Sequence, residues 1–228
     1  MADRGALYCV WGKDPKVERA LTRSIASLKQ HHPELPVEVC RADATDPVHG
    51  LIEKARMFEL SPFKETLFLD ADTVVLGRLD FGFEKARTFG LACSICECPW
   101  ARRYGGIEGD AIEYNTGVIF FTEAAKPVFD AWQRLAPEVD SSIKFVDPKG
   151  QIATMPFNDQ ASFARALDEL ELVPYVLPLN WNFRPIWQRS FFGPIRIWHD
   201  YSDVPSEVCR LADHYRKKDA IIQFHAFR

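Results

Sequence analysis

Residues 66–76 read TLFLDADTVVL. Thr66 to Leu69 make a short run of strand length, Asp70 and Asp72 follow two positions apart, and Val74, Val75 and Leu76 restore the apolar character at once. Such a run belongs at the centre of a sheet covered on both faces, and open α/β sheets bind ligands at the carboxyl ends of their strands. If the chain stays extended through the acids, residues two apart point the same way, so both carboxylates reach one cation. Hard oxygen ligands suit Mg2+ or Mn2+, and such an ion bridges the oxygens of a diphosphate and stabilises it as a leaving group.

The flanking sequence supports that placement. ALYCVW near the start is a strand, GKDP a turn, and Asp14 and Pro15 supply the N-cap and first position of a helix. Val17, Leu21, Ile25 and Leu28 recur down one face of it. LPVEVCRA is a second strand, residues 48–60 a second helix with Leu51, Ala55 and Met57 or Phe58 inward, and TLFLD a third strand. Alternating strands and helices predict an α/β fold with a mostly parallel central sheet flanked by helices. Further on, YNTGVIFF (114–121) is a strand entered through a turn, FNDQASFARALDEL a helix capped by Asn158, and RIWHDY closes another strand.

The 228 residues fit one large domain or two small ones, with 47% hydrophobic and 26% charged residues and a net charge of −4. That mild acidity argues against a nucleic-acid binder, which needs a basic footprint. No apolar run of membrane-spanning length and no signal-peptide layout at MADRGALYCV are present, so a cytoplasmic protein is expected; a lipid-linked substrate at a membrane surface remains compatible. Cys93, Cys96 and Cys98 form CxxCxC, but a structural zinc site wants a fourth ligand and none is evident nearby. The stretch reads as a buried strand using cysteine as a small hydrophobe.

A strand, a DxD triplet and more apolar residues in a βαβ setting resemble the GT-A glycosyltransferases that use nucleotide-sugar donors, glycogenin and the bacterial lipopolysaccharide galactosyltransferases above all. The resemblance runs from SLKQHH (27–32) to WHD (198–200) and carries several motifs in the family's order. It implies a single GT-A domain over 1–228, with a nucleotide-binding half to about residue 100 and an acceptor half from about 101. It implies a donor held by Val10, Trp11, Gly12, Lys54, Asp70, Ala71, Asp72, Asn115 and Thr116, and a metal, Mn2+ or Mg2+, held by Asp70, Asp72 and His199. Asp159 and Gln160 match the family's Asp-Gln pair beside the anomeric carbon, and NWNFRP (180–185) its acceptor-side segment. The implied reaction moves a hexose from a nucleotide-diphosphate sugar, a UDP-sugar first, to a glycan, lipid-linked or protein acceptor, with retention. Taken alone, Lys54 is a solvated helix lysine, Asn115–Gly117 a turn and Asn158–Gln160 a helix cap.

The sequence departs from the family in one place. Family members follow the histidine with Lys-Pro-Trp, whose lysine grips the diphosphate; here the chain reads HDYSDVPSEV, leaving Arg102, Arg103 or Lys218 to replace it. His225 in IIQFHAF is the rival metal ligand, and His199 the better one because it follows NFRP at closer to the family's interval. LFLDADTVV also fits the nucleophile motif of haloacid-dehalogenase phosphatases, with Asp70 attacking phosphorus. That motif usually sits on a first strand, whereas two βα units precede it here. A nucleotidyltransferase would want a Gly-rich phosphate loop after the first strand, which VWGKDPK matches poorly. A binding module that keeps the fold without catalysis is the remaining alternative.

Overall fold

The computed structural model describes residues 3–44, 46–97, 112–138, 144–146, 150–154 and 158–227; Cys98, Arg102 and Arg103 lie outside the described residues. β1 (Arg4–Trp11) enters the core directly, and α1 (Pro15–His31) returns over the sheet. The Asp14 carboxylate accepts from the Lys16 N–H at 2.8 Å and Pro15 opens the helix, as the sequence predicts. Leu21 and Leu28 are buried, and Val17 and Ile25 pack against the same core.

β2 (Val37–Ala42) leads to α2 (Pro47–Lys54) and α3 (Met57–Leu60). The single helix expected over residues 48–60 is therefore broken. Ala55 N–H bonds to Ile52 O and Arg56 N–H to Glu53 O, three residues back, which tightens the turn. The break lets Ala55 and Met57, two apart, both bury completely, which one face of a continuous helix does not allow.

β3 (Glu65–Leu69), β4 (Thr73–Val75), α4 (Asp80–Phe89), β5 (Leu91–Ile95), β6 (Tyr114–Thr122) and α5 (Lys126–Leu135) follow. The small β7 (Lys144–Val146) and β8 (Ile152–Thr154) pair with each other. Then come α6 (Gln160–Glu169), β9 (Tyr175–Leu177), β10 (Ser190–Phe192), β11 (Ile197–His199), α7 (Ser206–His214) and β12 (Phe224–Ala226). The main sheet has the order β2-β1-β3-β6-β5-β9. β1 is parallel to β2 and β3, and β5 is parallel to β9; β6 alone runs against its neighbours.

Strand alternation divides the core in two. Leu7, Phe68, Ile119 and Phe121 face α5 and α6 with Phe129, Trp132 and Phe163. Ala6, Tyr8, Leu67, Leu69, Val118 and Phe120 face α1 and α4 with Leu21, Leu28 and Phe83. A third cluster under α7 takes Phe191 and Trp198 from the aromatic stretch 187–198, while Trp187 and Phe192 stay exposed. Cys93 and Cys96 are both buried, in keeping with their reading as core residues. No helix among the described residues is long and apolar enough to cross a membrane.

Asn115, Thr116 and Gly117 already belong to β6 rather than to a turn before it. Cys93 faces Ile119 and Ile95 faces Tyr114, so between those rungs β6 advances five residues while β5 advances two. The excess bulges on the β5 side, whereas pairing with β3 runs unbroken to Leu69 and Val118. Bulges of this kind re-aim side chains next to sites.

α4 meets the sheet through Gly82, where an added Cβ would overlap the Phe120 ring and lie 2.6 Å from its Cε1. Gly82→Ala gains about 1 kcal/mol of helix propensity and loses about 1–3 kcal/mol to overpacking between two buried surfaces. The net expectation is a lower urea midpoint with unchanged slope. A higher midpoint would mean the helix shifts freely on the sheet.

Candidate active site

β3 ends at Leu69, and the chain turns instead of running on extended. Asp70 N–H bonds to Gly117 O at 2.8 Å, one last rung on β6, and Thr73 N–H then closes a turn onto Asp70 O at 3.2 Å. The Thr73 hydroxyl donates to the same carbonyl at 2.8 Å and joins Ser24 and Tyr8 in a buried hydroxyl chain. A turn thus replaces the expected extended geometry, and the two carboxylates converge through the pairing of β4. This strand leaves the main sheet to pair with β11, where Thr73 faces His199 and Asp200 N–H bonds to Asp72 O. That ribbon carries His199 to the carboxylates.

His199 Nε2 lies 3.3 Å from Asp72 Oδ1 and 3.8 Å from Asp70 Oδ2. Ligand atoms of all three residues lie within 4.8 Å of one another. Neighbouring ligands on an octahedral Mg2+-sized ion sit about 3 Å apart, so small adjustments bring these groups onto one ion. Gly117 makes room: a Cβ there would overlap His199 Cε1 and come within 2.7 Å of Asp70 Oδ2. Two carboxylates, one imidazole and a glycine-lined cradle fit a divalent cation. His225 sits apart from this group, in β12 with its ring stacked on Phe191.

Burial pushes the Asp70 carboxyl above the usual carboxylate range, and Lys54 and His199 offset only part of that push. The Asp70 side chain keeps 27% of its surface exposed, so water moderates the effect. Burial acts on Asp72 too, but the nearby imidazole outweighs it and holds that carboxyl low. For His199 burial disfavours the charged ring, and Asp72 and then Asp70 overcome it and hold the imidazole above its usual range. The cluster attracts positive charge.

Lys54 is buried rather than solvated, with 2% of its surface exposed. Its ammonium lies 2.9 Å from Asp70 Oδ1 and 2.9 Å from Asp159 Oδ2, with the Thr116 hydroxyl at 3.4 Å. Burial alone would lower its affinity for the proton; Asp159 and Asp70 reverse that and hold it above the usual lysine range. Thr116 Oγ1 donates to Asp159 Oδ2 at 2.8 Å. Asn115 Nδ2 donates to Gln160 Oε1 at 2.7 Å, and Asn158 caps α6 by accepting from Ala161 N–H.

A cleft of about 520 Å3 opens beside the cluster. The end of β1 forms one wall with Val10, Trp11 and Gly12, and Trp11 lies flat on Gly50 of α2, where a Cβ would overlap its indole. Lys54, Asp70, Ala71, Asp72, Asp159 and His199 line the floor. Asn115, Thr116 and Gln160 are buried behind that floor rather than lining it.

Lys218 does not line the cleft, but Lys13 and Tyr201 do. Lys13 makes no ion pair among the described residues. The segment after His199 is tied to α1: Arg23 donates to the carbonyls of Asp200 and Ser202 at 2.8 and 3.0 Å, and the Lys16 ammonium sits 4.0 Å over the Tyr201 ring. Sequence reasoning passed over Lys13, although it stands two residues beyond the end of β1. It also passed over Glu113, which accepts from Gln160, and read Asn182, which contacts His199, only as part of NWNFRP.

The fold is that of the GT-A glycosyltransferases. Mouse xyloside xylosyltransferase 1, in its apo form, superposes with a TM-score of 0.59 at 14% identity, over 89% of this chain and 100% of that one. The galactosyltransferase LgtC in complex with donor and acceptor sugar analogs gives 0.52 at 13% identity, over 95% and 94% of the two chains. A glycosyltransferase involved in glycosylation of the major capsid of PBCV-1 gives 0.52 at 13% identity, over 92% and 98%. No protein-family model and no curated protein matches the chain.

Replacing Lys54 by Met leaves Asp70 and Asp159 facing each other without their shared cation. Removing one partner from a buried ion pair costs about 3–5 kcal/mol, and Lys54→Met is expected to fall in that range in urea unfolding without metal. A loss below about 1 kcal/mol would show that the carboxylates do not depend on this lysine.

Proposed function

We propose that the protein is a metal-dependent glycosyltransferase that moves a hexose from a nucleotide-diphosphate sugar, a UDP-sugar in the first instance, to an acceptor hydroxyl with retention of anomeric configuration. The observation that carries this reading is the Asp70–Asp72–His199 cluster opening onto a cleft at the strand ends of a GT-A fold. Asp72 and His199 are the direct ligands, and Asp70 is shared between the ion and the ribose. The imidazole favours Mn2+ over Mg2+. An ion held by these residues would supply positive charge to stabilise the departing diphosphate.

Val10, Trp11 and Gly12 hold the base and Ala71 the ribose side, while Lys54 supports the donor from the cleft floor and Asn115 and Thr116, behind that floor, act on it through Gln160 and Asp159. Lys13, on the cleft wall, supplies the diphosphate grip that the family takes from the segment after its histidine. Asp159 lines the cleft with one oxygen held by Lys54 and Thr116. With Gln160 behind it, this carboxylate stabilises positive charge developing on the sugar ring. The bond from anomeric carbon to diphosphate breaks, a bond to the acceptor oxygen forms on the same face, and the hydroxyl proton leaves with the diphosphate. Residues to about 100 form the nucleotide half and the remainder the acceptor half, the acceptor being a glycan, lipid-linked or protein hydroxyl. The reading includes a cytoplasmic setting.

Thermal unfolding with UDP, GDP, CMP or CDP, each with and without Mn2+, tests the reading. Stabilisation of about 2–3 kcal/mol near a hundredfold excess over Kd is expected only when UDP and Mn2+ are both present. Asp72→Asn is expected to abolish it while leaving the unliganded protein folded. Stabilisation by Mg2+ with beryllofluoride alone would favour the phosphatase instead.

Lys13→Ala is expected to weaken UDP binding in Mn2+ at least tenfold, the loss of one charge-assisted contact. Calorimetric titration reads this directly. Unchanged affinity would move the diphosphate grip elsewhere.

A further inference from the structure

Behind the metal cluster, hydrogen bonds join five side chains into one line. Gln160 Nε2 donates to Glu113 Oε1 at 3.3 Å, and Asn115 Nδ2 donates to Gln160 Oε1 at 2.7 Å. Asn182 Nδ2 donates to Asn115 Oδ1 at 2.6 Å, and Asn182 Oδ1 meets His199 Nδ1 at 2.6 Å. Glu113, Asn115, Gln160 and Asn182 are all buried, with between 1% and 7% of their surface exposed. A buried amide that faces the wrong way leaves donor against donor, which costs the full desolvation of the group.

The direction of the line is fixed at its middle. Gly117 N–H can only donate, and it bonds to Asn115 Oδ1 at 3.0 Å. The other end of the Asn115 amide must then be its NH2, so the Gln160 atom it meets is the carbonyl oxygen. That leaves the Gln160 NH2 for the Glu113 carboxylate, which accepts it. On the other side Asn182 must donate to the Asn115 oxygen, so it presents its own carbonyl to His199. Only Nδ1–H satisfies that carbonyl.

We infer that Asn182 is a positioning residue: aligned by Gly117 N–H through Asn115, it keeps a His199 proton on Nδ1 and so reserves Nε2 for an ion held between the carboxylates, while Glu113 closes the same line behind Gln160. Ligating histidines depend on such an acceptor for ring orientation and tautomer, and losing it typically weakens metal binding 10–100-fold. The bulge in β6 makes the line possible, because the extra residues carry Asn115 to the point between α6 and the turn at residues 179–182 where both amides reach it. The inference rests on the metal site of the proposed sugar transfer, and it adds a rule for which nitrogen binds.

The test is Mn2+ titration followed by the electron paramagnetic resonance of the free ion, without nucleotide, on the wild type, Asn182→Leu, Asn182→Asp and Asp72→Asn. Asn182→Leu removes the acceptor for Nδ1–H and is expected to weaken Mn2+ at least tenfold. Asn182→Asp keeps an acceptor for Nδ1–H but loses the donor to Asn115 Oδ1, and is expected to bind Mn2+ more tightly than Asn182→Leu and more weakly than the wild type. In protein labelled with 15N-histidine and loaded with Mg2+, the His199 proton is expected on Nδ1, with His199→Gln identifying the signal. Asn182→Leu binding like the wild type, Asn182→Asp falling as far as Asn182→Leu with both still folded by thermal unfolding, or a proton on Nε2 would overturn the inference. If Asp72→Asn loses Mn2+ while Asn182→Leu does not, the positioning role fails and the metal site stands. If the wild type binds no Mn2+, or Asp72→Asn binds as well as the wild type, both fail together.

Discussion

Lys54 puts its ammonium 2.9 Å from both Asp70 and Asp159 and has 2% of its surface in contact with solvent. A charge so placed is tolerable only if its partners hold still, because desolvation is offset by geometry and by little else. The lysine therefore fixes two carboxylates from distant parts of the chain, one at the end of β3 and one at the start of α6. It holds both oxygens of Asp70, Oδ1 at 2.9 Å and Oδ2 at 3.2 Å, and Oδ2 is also the oxygen nearer His199. The break between α2 and α3 places Lys54 at the end of its helix, where its side chain reaches under the cleft, while Ala55 and Met57 anchor the backbone beside it.

Much of the frame was legible in the sequence because it depends on local patterns. The period of Val17, Leu21, Ile25 and Leu28, the cap at Asp14, and the apolar run to Leu69 each describe one element, and each element forms as those patterns require. The errors share a physical origin. The helix over residues 48–60 breaks because Ala55 and Met57 both bury, which helical periodicity cannot foresee. The acids at 70 and 72 converge through a turn because β4 finds a partner in β11, more than a hundred residues away. Asn115 to Gly117 look like a turn because Asn-Thr-Gly favours one, but the bond from Asp70 N–H to Gly117 O on one side and a bulge toward β5 on the other draw them into the strand.

In the site the division is similar. Asp70, Asp72, His199, Asp159 and Gln160 were visible through motif and order, and the fold brings the first three into one cluster with Asp159 two bonds away through Lys54. Glu113 and Asn182 carried no such signal. Their importance lies in which atom of one amide faces which atom of the next, a property of three elements meeting around Asn115. Gly117 is informative in hindsight: the same residue clears space for His199 with its missing Cβ and orients Asn115 with its N–H.

The segment after His199 marks where this chain parts from the family it resembles. A lysine on a closing loop grips a diphosphate only after the loop has been ordered, and that ordering is subtracted from affinity. Here Arg23 holds the carbonyls of Asp200 and Ser202, and Tyr201 lies under Lys16, so the segment is already seated on α1. Lys13 stands between Gly12, in a left-handed turn with φ of 70°, and the helix cap at Asp14. Its backbone is thus fixed at both sides before any ligand arrives. The proposed grip would give up the exclusion of water that a closing loop provides, and on diphosphate binding it would need only the exposed Lys13 side chain to order, not a loop. The balance of charge agrees: Lys54 is engaged by two carboxylates and His199 by Asp72, which among the described cleft-lining residues leaves the Lys13 ammonium without an ion pair.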